Sequence, residues 1–445
     1  MASTNSASEP TRPLFPQLRG GPRQLPADEV ARHQSGRLKG AMVEAVARHG
    51  YVGTTLNELV SLAGVSKSTF YEHFDSKQDC FLATFDEIIA VLEARVGDAY
   101  RSGGDFRGRL EVSLATFMNI AVDEPAAAML TAVEVLALGG RGAKATERAS
   151  QGFEGLIQQS FDHSGAEVTV SPEVVRAIVA GIRGVAYRRL RAGRSEELPG
   201  TVDELVDWAL SYQRTPSETA RRAIAASESH RPAPAPEHEG DEERPGWGEP
   251  PDSRRSKSAL SQRERIVRAA AGVAVERGYE TLSIPTITST AGVSNQTFYE
   301  HFASKREAFM AAFEEFGSEG LRRCGAAFAA EGDRPEAIGV ALRELLEYCA
   351  ANELLTKAAF LELPAAGPVA LDRADQLLDQ FASFLRPEAA PSALEGPLPT
   401  TVLEAIPSSA YAVIRHELVN GRLATLPDLA PQLTWLALAP FDGPA

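Results

Sequence analysis

Apolar residues recur at three- and four-residue spacing along most of this chain, the period of an amphipathic helix. Alternating Val/Ile/Thr runs with hairpin turns are missing, so the pattern predicts an all-α protein. In "RLKGAMVEAVARHG", Leu38, Met42, Ala45 and Val46 form one stripe, and Gly50 supplies a stop. "TLNEL" opens a second helix. Thr55 is placed to cap it, and Glu58, three residues on, to complete a capping box. Ala63-Gly64 ends that helix, since glycine accepts the left-handed backbone that reverses the chain. Ser66 then caps a third, short helix.

The same elements occur twice. "AGVSKSTFYEHFDSK" (63–77) and "AGVSNQTFYEHFASK" (291–305) agree at 12 of 15 positions, 228 residues apart. The differences are Lys67/Asn295, Ser68/Gln296 and Asp75/Ala303. The register holds without a gap over about 45 residues, through "ARHGY" and "VERGY" to Phe81 and Phe309, which marks a duplicated module. Ser283 takes the place of Thr55, and Pro285 falls in the first helical turn, where its missing N–H costs nothing.

The divisions expected are a leader without structure (1–26), a first head (27–78), a first helical body (79–213), a flexible linker (214–258), a second head (259–306) and a second body (307–445). The linker is rich in Pro, Glu, Arg, Ser and Gly, with little to bury. A length of 445 residues fits such a division. No uninterrupted apolar run reaches about 18 residues and the first residues lack a secretory core, so a cytoplasmic protein free of membranes is expected. Cys80, Cys324 and Cys349 form neither a CxxC pair nor an even set and read as reduced core residues.

A net charge of −15 speaks against nucleic acid only as an average over the chain. Arg254–Arg268 carries six basic residues and one acid, whereas Glu237–Glu243 carries five acids and no Lys or Arg. A phosphate backbone senses the local balance. On a helical wheel, Phe70 and Phe74 share a face to bury, while Lys67, Ser68, Thr69, Tyr71 and His73 collect on the others. Amine, hydroxyl, phenol and imidazole groups suit phosphate oxygens and base edges. A plain solvated face above an aromatic core stripe is the alternative, and its retention in both copies weighs against it.

Helix, glycine turn and short second helix form a helix-turn-helix, and the string T-x-x-x-L…AGVS-x-x-T-F-Y-x-H-F-x-S-K resembles the DNA-binding domain of TetR-family transcriptional regulators. The resemblance implies two tandem units, each a three-helix DNA-binding head followed by an all-helical ligand-binding and dimerisation body. By position it implies base contacts from Lys67, Ser68 and Tyr71. Phosphate contacts would come from Thr55, Ser66, Thr69, His73 and Lys77. In the second copy the equivalents are Asn295, Gln296 and Tyr299 for bases, and Ser283, Ser294, Thr297, His301 and Lys305 for phosphates. His73 and His301 have a second reading as satisfied helix-end histidines. Lysine favours guanine acceptors and Asn or Gln suits adenine, so the two heads are expected to prefer different half-sites.

The partners implied are a double-stranded DNA operator and an unidentified small-molecule effector, with the two bodies paired within one chain or between two. The expected sign is repression. Phe117, Met118, Met129 and Leu136 in the first body, and Tyr348, Phe360 and Phe381 in the second, are candidate pocket residues, with plain core as the other reading. An interface between bodies would draw on Val185, Tyr187, Ala209 and Tyr212, and on Tyr411, Val413, Trp435 and Leu436. Another function class stays open: one head has lost DNA binding and serves as a scaffold or protein-partner module.

An enzyme is not expected. "RHELVN" (415–420) has Asn420 where a zinc-binding HExxH needs its second histidine, and "GGRGAK" (139–144) lacks the GK[ST] ending of a phosphate loop. Neither a metal set nor a cofactor motif is expected.

Overall fold

The computed structural model describes residues 27–162, 169–231, 261–385 and 398–441. The expected leader, most of the expected linker and residues 442–445 lie outside them. Among the described residues every regular element is helical. In the first unit α1 (Ala27–Gly53) breaks at Gly50, where φ is 66°. The helices α2 (Leu56–Ala63) and α3 (Lys67–His73) meet at Gly64, with φ 59° and ψ 42°. Thr55 accepts the Glu58 N–H at 3.3 Å, but only this half of the expected capping box forms, because the Glu58 carboxylate pairs with His49 at 3.0 Å.

The first body runs through α4 (Lys77–Ser102), α5 (Phe106–Asp123), α6 (Pro125–Ala132), a 3-10 turn (Glu134–Leu138), α7 (Gly139–Asp162), α8 (Pro172–Arg191) and α9 (Val202–Ser211). Pro125–Asp162 is long and apolar enough to cross a membrane, yet it is three elements, not one helix. Its Leu130, Val135 and Leu138 are buried against the first head.

One further helix, α10 (Glu218–Ser229), corrects the expected linker, whose first part is structured. Few of its residues are large and apolar, so composition conceals it. Ala220, Ala223 and Ser227 nonetheless form a buried small-residue stripe, and Ser217 caps the helix at 3.1 Å. The stripe lies so close to the second body that a Cβ at Gly339 would stand 2.5 Å from the Ala223 carbonyl. Arg222 to Asp333 (3.3 Å) and His230 to Glu344 (3.2 Å) flank the contact.

The second unit repeats the order with α11 (Gln262–Arg277), α12 (Ile284–Ala291), α13 (Asn295–His301), α14 (Lys305–Ala330), α15 (Arg334–Ala351) and α16 (Glu353–Lys357). A π-helical turn (Ala358–Glu362), a 3-10 turn (Leu363–Ala366), α17 (Pro368–Ser383), α18 (Thr400–Val419) and α19 (Ala430–Leu438) complete it. The step of 228 holds into the bodies: positive-φ glycines recur at Gly50/Gly278, Gly64/Gly292, Gly139/Gly367 and Gly193/Gly421.

The two bodies are paired within one chain. Helices α8 and α18 cross where Gly181 and Gly184 face Ser409 and Ser408, and a Cβ at Gly184 would stand 2.2 Å from that of Ser408. Ser409 Oγ donates to the Ala177 carbonyl at 2.6 Å, and Tyr212 Oη to that of Leu436 at 2.9 Å. Arg188 to Asp379 (2.7 Å) and Arg189 to Glu404 (3.2 Å) also join the halves. Of the eight expected interface residues, Val185, Ala209, Tyr212, Val413 and Leu436 are buried, and Tyr187, Tyr411 and Trp435 half-buried.

Candidate functional site

Each head exposes one short helix. Phe70 and Phe298 are fully buried beneath it. Each holds the next residue, Tyr71 or Tyr299, by an edge-on ring contact with centroids 5.5 and 5.6 Å apart. The tyrosines themselves are 57% and 60% exposed, unusual for so large a ring. Lys67 and Ser68 are exposed beside Tyr71, as are Asn295 and Gln296 beside Tyr299. Asn295 Oδ1 accepts from Thr288 Oγ1 at 2.9 Å, and Gln296 Nε2 donates to Glu300 at 3.2 Å. Asn295 thus spends its carbonyl oxygen within its own head and keeps the amide N–H groups to donate, while among the described residues no partner holds the exposed Lys67 ammonium. The two ridges share a shape and differ in what they donate.

Ser66 and Ser294 spend an oxygen on the cap, each accepting from the N–H of Thr69 or Thr297 at 3.0 Å, and each threonine hydroxyl lies 3.0 Å from its serine. Ser283 does the same for Thr286 at 3.3 Å. Thr55 is exposed at its cap. His73 Nε2 reaches Gln34 of α1 at 3.2 Å, the helix-end reading, while His301 is exposed.

Lys77 and Lys305, expected at phosphates, turn their ammoniums to backbone carbonyls. Lys77 Nζ donates to the carbonyls of Tyr51 (2.8 Å) and Thr54 (2.9 Å) and sits 4.1 Å from the Tyr51 ring centroid. Lys305 Nζ donates to the Leu282 carbonyl at 2.7 Å and lies 5.1 Å from the Tyr279 ring centroid. Burial lowers the pKa of both. These ammoniums satisfy carbonyls left open where α1 or α11 gives way to the next helix.

A joint between head and body was not foreseen. Glu134 Oε2 accepts the Tyr51 N–H at 2.7 Å. Glu362, its counterpart 228 residues on, accepts the Tyr279 N–H at Oε2 (3.0 Å) and the Gly140 N–H at Oε1 (3.1 Å). The second bond crosses between the bodies. Its mirror image cannot form, because Pro368 stands opposite Gly140 and has no N–H. Burial raises the Glu362 carboxyl pKa against the two backbone bonds. Both glutamates lie on irregular helical turns, and the recurrence of Glu at the constant step was the signal available in the sequence.

Those turns also border two cavities. One, of about 230 Å³, is lined by Phe117 and Leu136, by Arg183 of α8, and by Asp375, Tyr411 and Arg415 of the second half. The other, of about 130 Å³, has Phe316, Tyr348, Phe360 and Phe381 of the second body in its lining. Five of the seven candidate pocket residues thus face a cavity. Met118 does not, being fully buried in the main core; nor does Met129, which packs near Val133, Leu190 and Leu371. Their spacing suited either place, and the helix rotation decided. Cys80, Cys324 and Cys349 are buried. Burial pushes the thiols of Cys80 and Cys349 up to about 12. Among the described residues no group of His, Cys, Asp and Glu is arranged for a metal ion.

The family model for the bacterial regulatory proteins of the tetR family matches residues 40–84 and again residues 266–312, the two heads. The HTH-type transcriptional activator FasR of Mycolicibacterium smegmatis is 32% identical over 119 residues. That match takes in 27% of this chain and 52% of FasR, so the chain spans about half the length of this relative. Among solved structures, the transcriptional regulator FadR of Bacillus subtilis in complex with stearoyl-CoA aligns with a TM-score of 0.37 at 14% identity, over 40% of this chain and 97% of that one. FadR of Bacillus halodurans aligns with a TM-score of 0.37 at 15% identity, over 40% and 94%. Matched in sequence and built on the same capped helices, both heads are tetR-family DNA-binding domains, carried in tandem by one chain.

Proposed function

We propose that this protein is a DNA-binding transcriptional regulator that works as an intramolecular pseudo-dimer, two unlike heads reading the two unlike halves of one operator. The observation that carries the reading is the pair of ridges led by Tyr71 and Tyr299, each exposed above a buried phenylalanine. One chain would then do what two identical chains do on a palindrome, and tethering keeps the second head near its half-site at an effective concentration of roughly millimolar. A cytoplasmic location suits such work at DNA.

An effector entering the larger cavity would press on the turn that carries Leu136 and Glu134, and through Glu134 on the head at Tyr51. Two arrangements of that joint are enough for a switch, with a coupling energy of ~1–3 kcal/mol. The expected sign is repression through occupancy of the operator; FasR is named an activator. Transcription in vitro from a template carrying the selected site measures the sign.

Sequence selection and footprinting with full-length protein test the reading. Tyr71→Ala and Tyr299→Ala are each expected to weaken one half of an asymmetric footprint by roughly 5- to 150-fold, the ~1–3 kcal/mol of a good base-reading contact. Identical preferred sequences for the two heads would refute it. Should one substitution alone matter, the other head is a partner module.

A further inference from the structure

We infer that the larger cavity is a binding site for an amphiphile with one anionic head, a carboxylate on an apolar chain, and that the carboxylate lies between Arg183 and Arg415. The inference rests on the effector reading of that cavity and adds the chemical class. The two arginines come from different halves, Arg183 from α8 and Arg415 from α18, and both line the same space. Arg415 is 7% exposed. Its guanidinium carbon lies 5.9 Å from the Tyr411 ring centroid, and among the described residues no carboxylate stands within ion-pair distance of it. Arg183 has one polar contact among them, Nη1 donating to Ser150 Oγ at 2.7 Å.

The neighbouring carboxylates pair at short range with other cations, and Glu147 and Glu154 act on Arg183 only from a distance. Glu147 meets His416 and Arg176, Glu154 lies 3.6 Å from Arg176, and Asp375 pairs with Arg191. Burial first, and then the charge of Arg415, lower the pKa of Arg183 to about 10 against the opposing pull of Glu147 and Glu154. Two like charges held inside a protein repel each other and have lost their water. An anion between them removes both penalties at once and brings the planar, multidentate hydrogen bonding that guanidinium offers a carboxylate. The remainder of the wall is apolar, with Leu110, Phe117, Phe153 and Ile157 among its residues, which suits a hydrocarbon chain. Since each half gives one arginine, the head of the ligand would span the α8–α18 crossing.

Binding of decanoate, 1-decanol and decanoyl-CoA to the full chain, by calorimetry, tests this. Decanoate is expected to bind more tightly than the alcohol. Arg183→Gln and Arg415→Gln should each weaken decanoate roughly 10- to 100-fold, the size of a lost charge-assisted bond. The alcohol should hardly change, and Arg415→Lys should recover part of the loss. Equal binding of acid and alcohol, unchanged in both variants, overturns the inference and leaves the cavity as an effector site. Tighter binding of the CoA thioester than of the free acid also overturns it. If none of the three binds, the effector reading falls as well. A measurement on the unaltered protein guards against variants that fail to fold: the ¹³C signal of carboxyl-labelled decanoate, followed across pH. A bound carboxyl that stays ionised to lower pH than the free acid supports the site, and one that protonates at higher pH overturns it.

Discussion

Glu362→Gln and Glu134→Gln are the same chemical change at equivalent joints, and the structure assigns them different outcomes. Glu134 uses one oxygen, Oε2, to accept the Tyr51 N–H. A glutamine there can turn its carbonyl to that N–H and leave its NH2 aside. Glu362 uses both oxygens, one for Tyr279 N–H and one for Gly140 N–H. A glutamine must set its NH2 against one of them, and a buried donor without an acceptor costs ~1–3 kcal/mol. Some of this is returned, because burial disfavours the Glu362 charge and glutamine has none. A net loss of ~1–2 kcal/mol should remain, equivalent to roughly 5- to 30-fold easier opening of the joint. Hydrogen–deuterium exchange read by mass spectrometry on peptides around Tyr51, Tyr279 and Gly140 measures it. Glu362→Gln should speed exchange at Tyr279 or Gly140 by that factor, while Glu134→Gln changes Tyr51 by less than about threefold, the size of a ~0.5 kcal/mol effect. Adding Gly140→Pro, which copies Pro368 and removes one of the two donors, should cut the cost of Glu362→Gln by more than half. Equal effects of the two glutamines, or no rescue by proline, would refute the reasoning.

The other predictions concern the lysine staple and the acid side of stability. Lys77→Met leaves the Tyr51 and Thr54 carbonyls without their donor and should cost ~1–3 kcal/mol in urea unfolding. The salt slope of DNA binding should shift by less than the ~0.9 expected for a lost phosphate contact; a full unit would restore the phosphate role. Burial pushes the Glu147 carboxyl up, but the bond to His416 and the charges of His416, Arg176 and Arg415 outweigh it and hold the carboxyl below its usual value of 4.5. A depressed carboxylate contributes stability that is present above 4.5 and lost as pH falls through its folded value. Wild type should therefore lose stability below 4.5 more steeply than His416→Gln, and parallel acid melting curves would contradict this.

Residues 27–78 were almost wholly legible in the sequence, because their structure is local. Gly64 needs a left-handed backbone, Ser66 caps three residues ahead, and Phe70 buries on a wheel that Tyr71 cannot share, whatever the rest of the chain does. Duplication doubled that signal, and the two heads and all-helical bodies follow from it. Less visible was whatever depended on a distant partner. Lys77 has the composition of a phosphate ligand, and only the carbonyls brought beside it by the turn after α1 show where its ammonium goes. Met118 and Phe117 are neighbours on one helix, yet the rotation of α5 against the core buries the first and leaves the second on the cavity wall. Helix α10 was hidden because alanine and serine carry little hydrophobic signal of their own and become an interface only where Gly339 lets the backbones approach.

By itself, then, the sequence determined the helices of the heads, where they turn, and that the unit occurs twice, since these depend on backbone preferences a few residues apart. Tertiary structure decided that the halves pair with each other, through small residues at 181, 184, 408 and 409, and that Arg183 and Arg415 face one space. It also decided that Glu362 holds a head and the opposite body at once. The physical reason is separation along the chain: Ser409 and Ala177 lie far apart in sequence, and no local periodicity records that one will donate a hydrogen bond to the other.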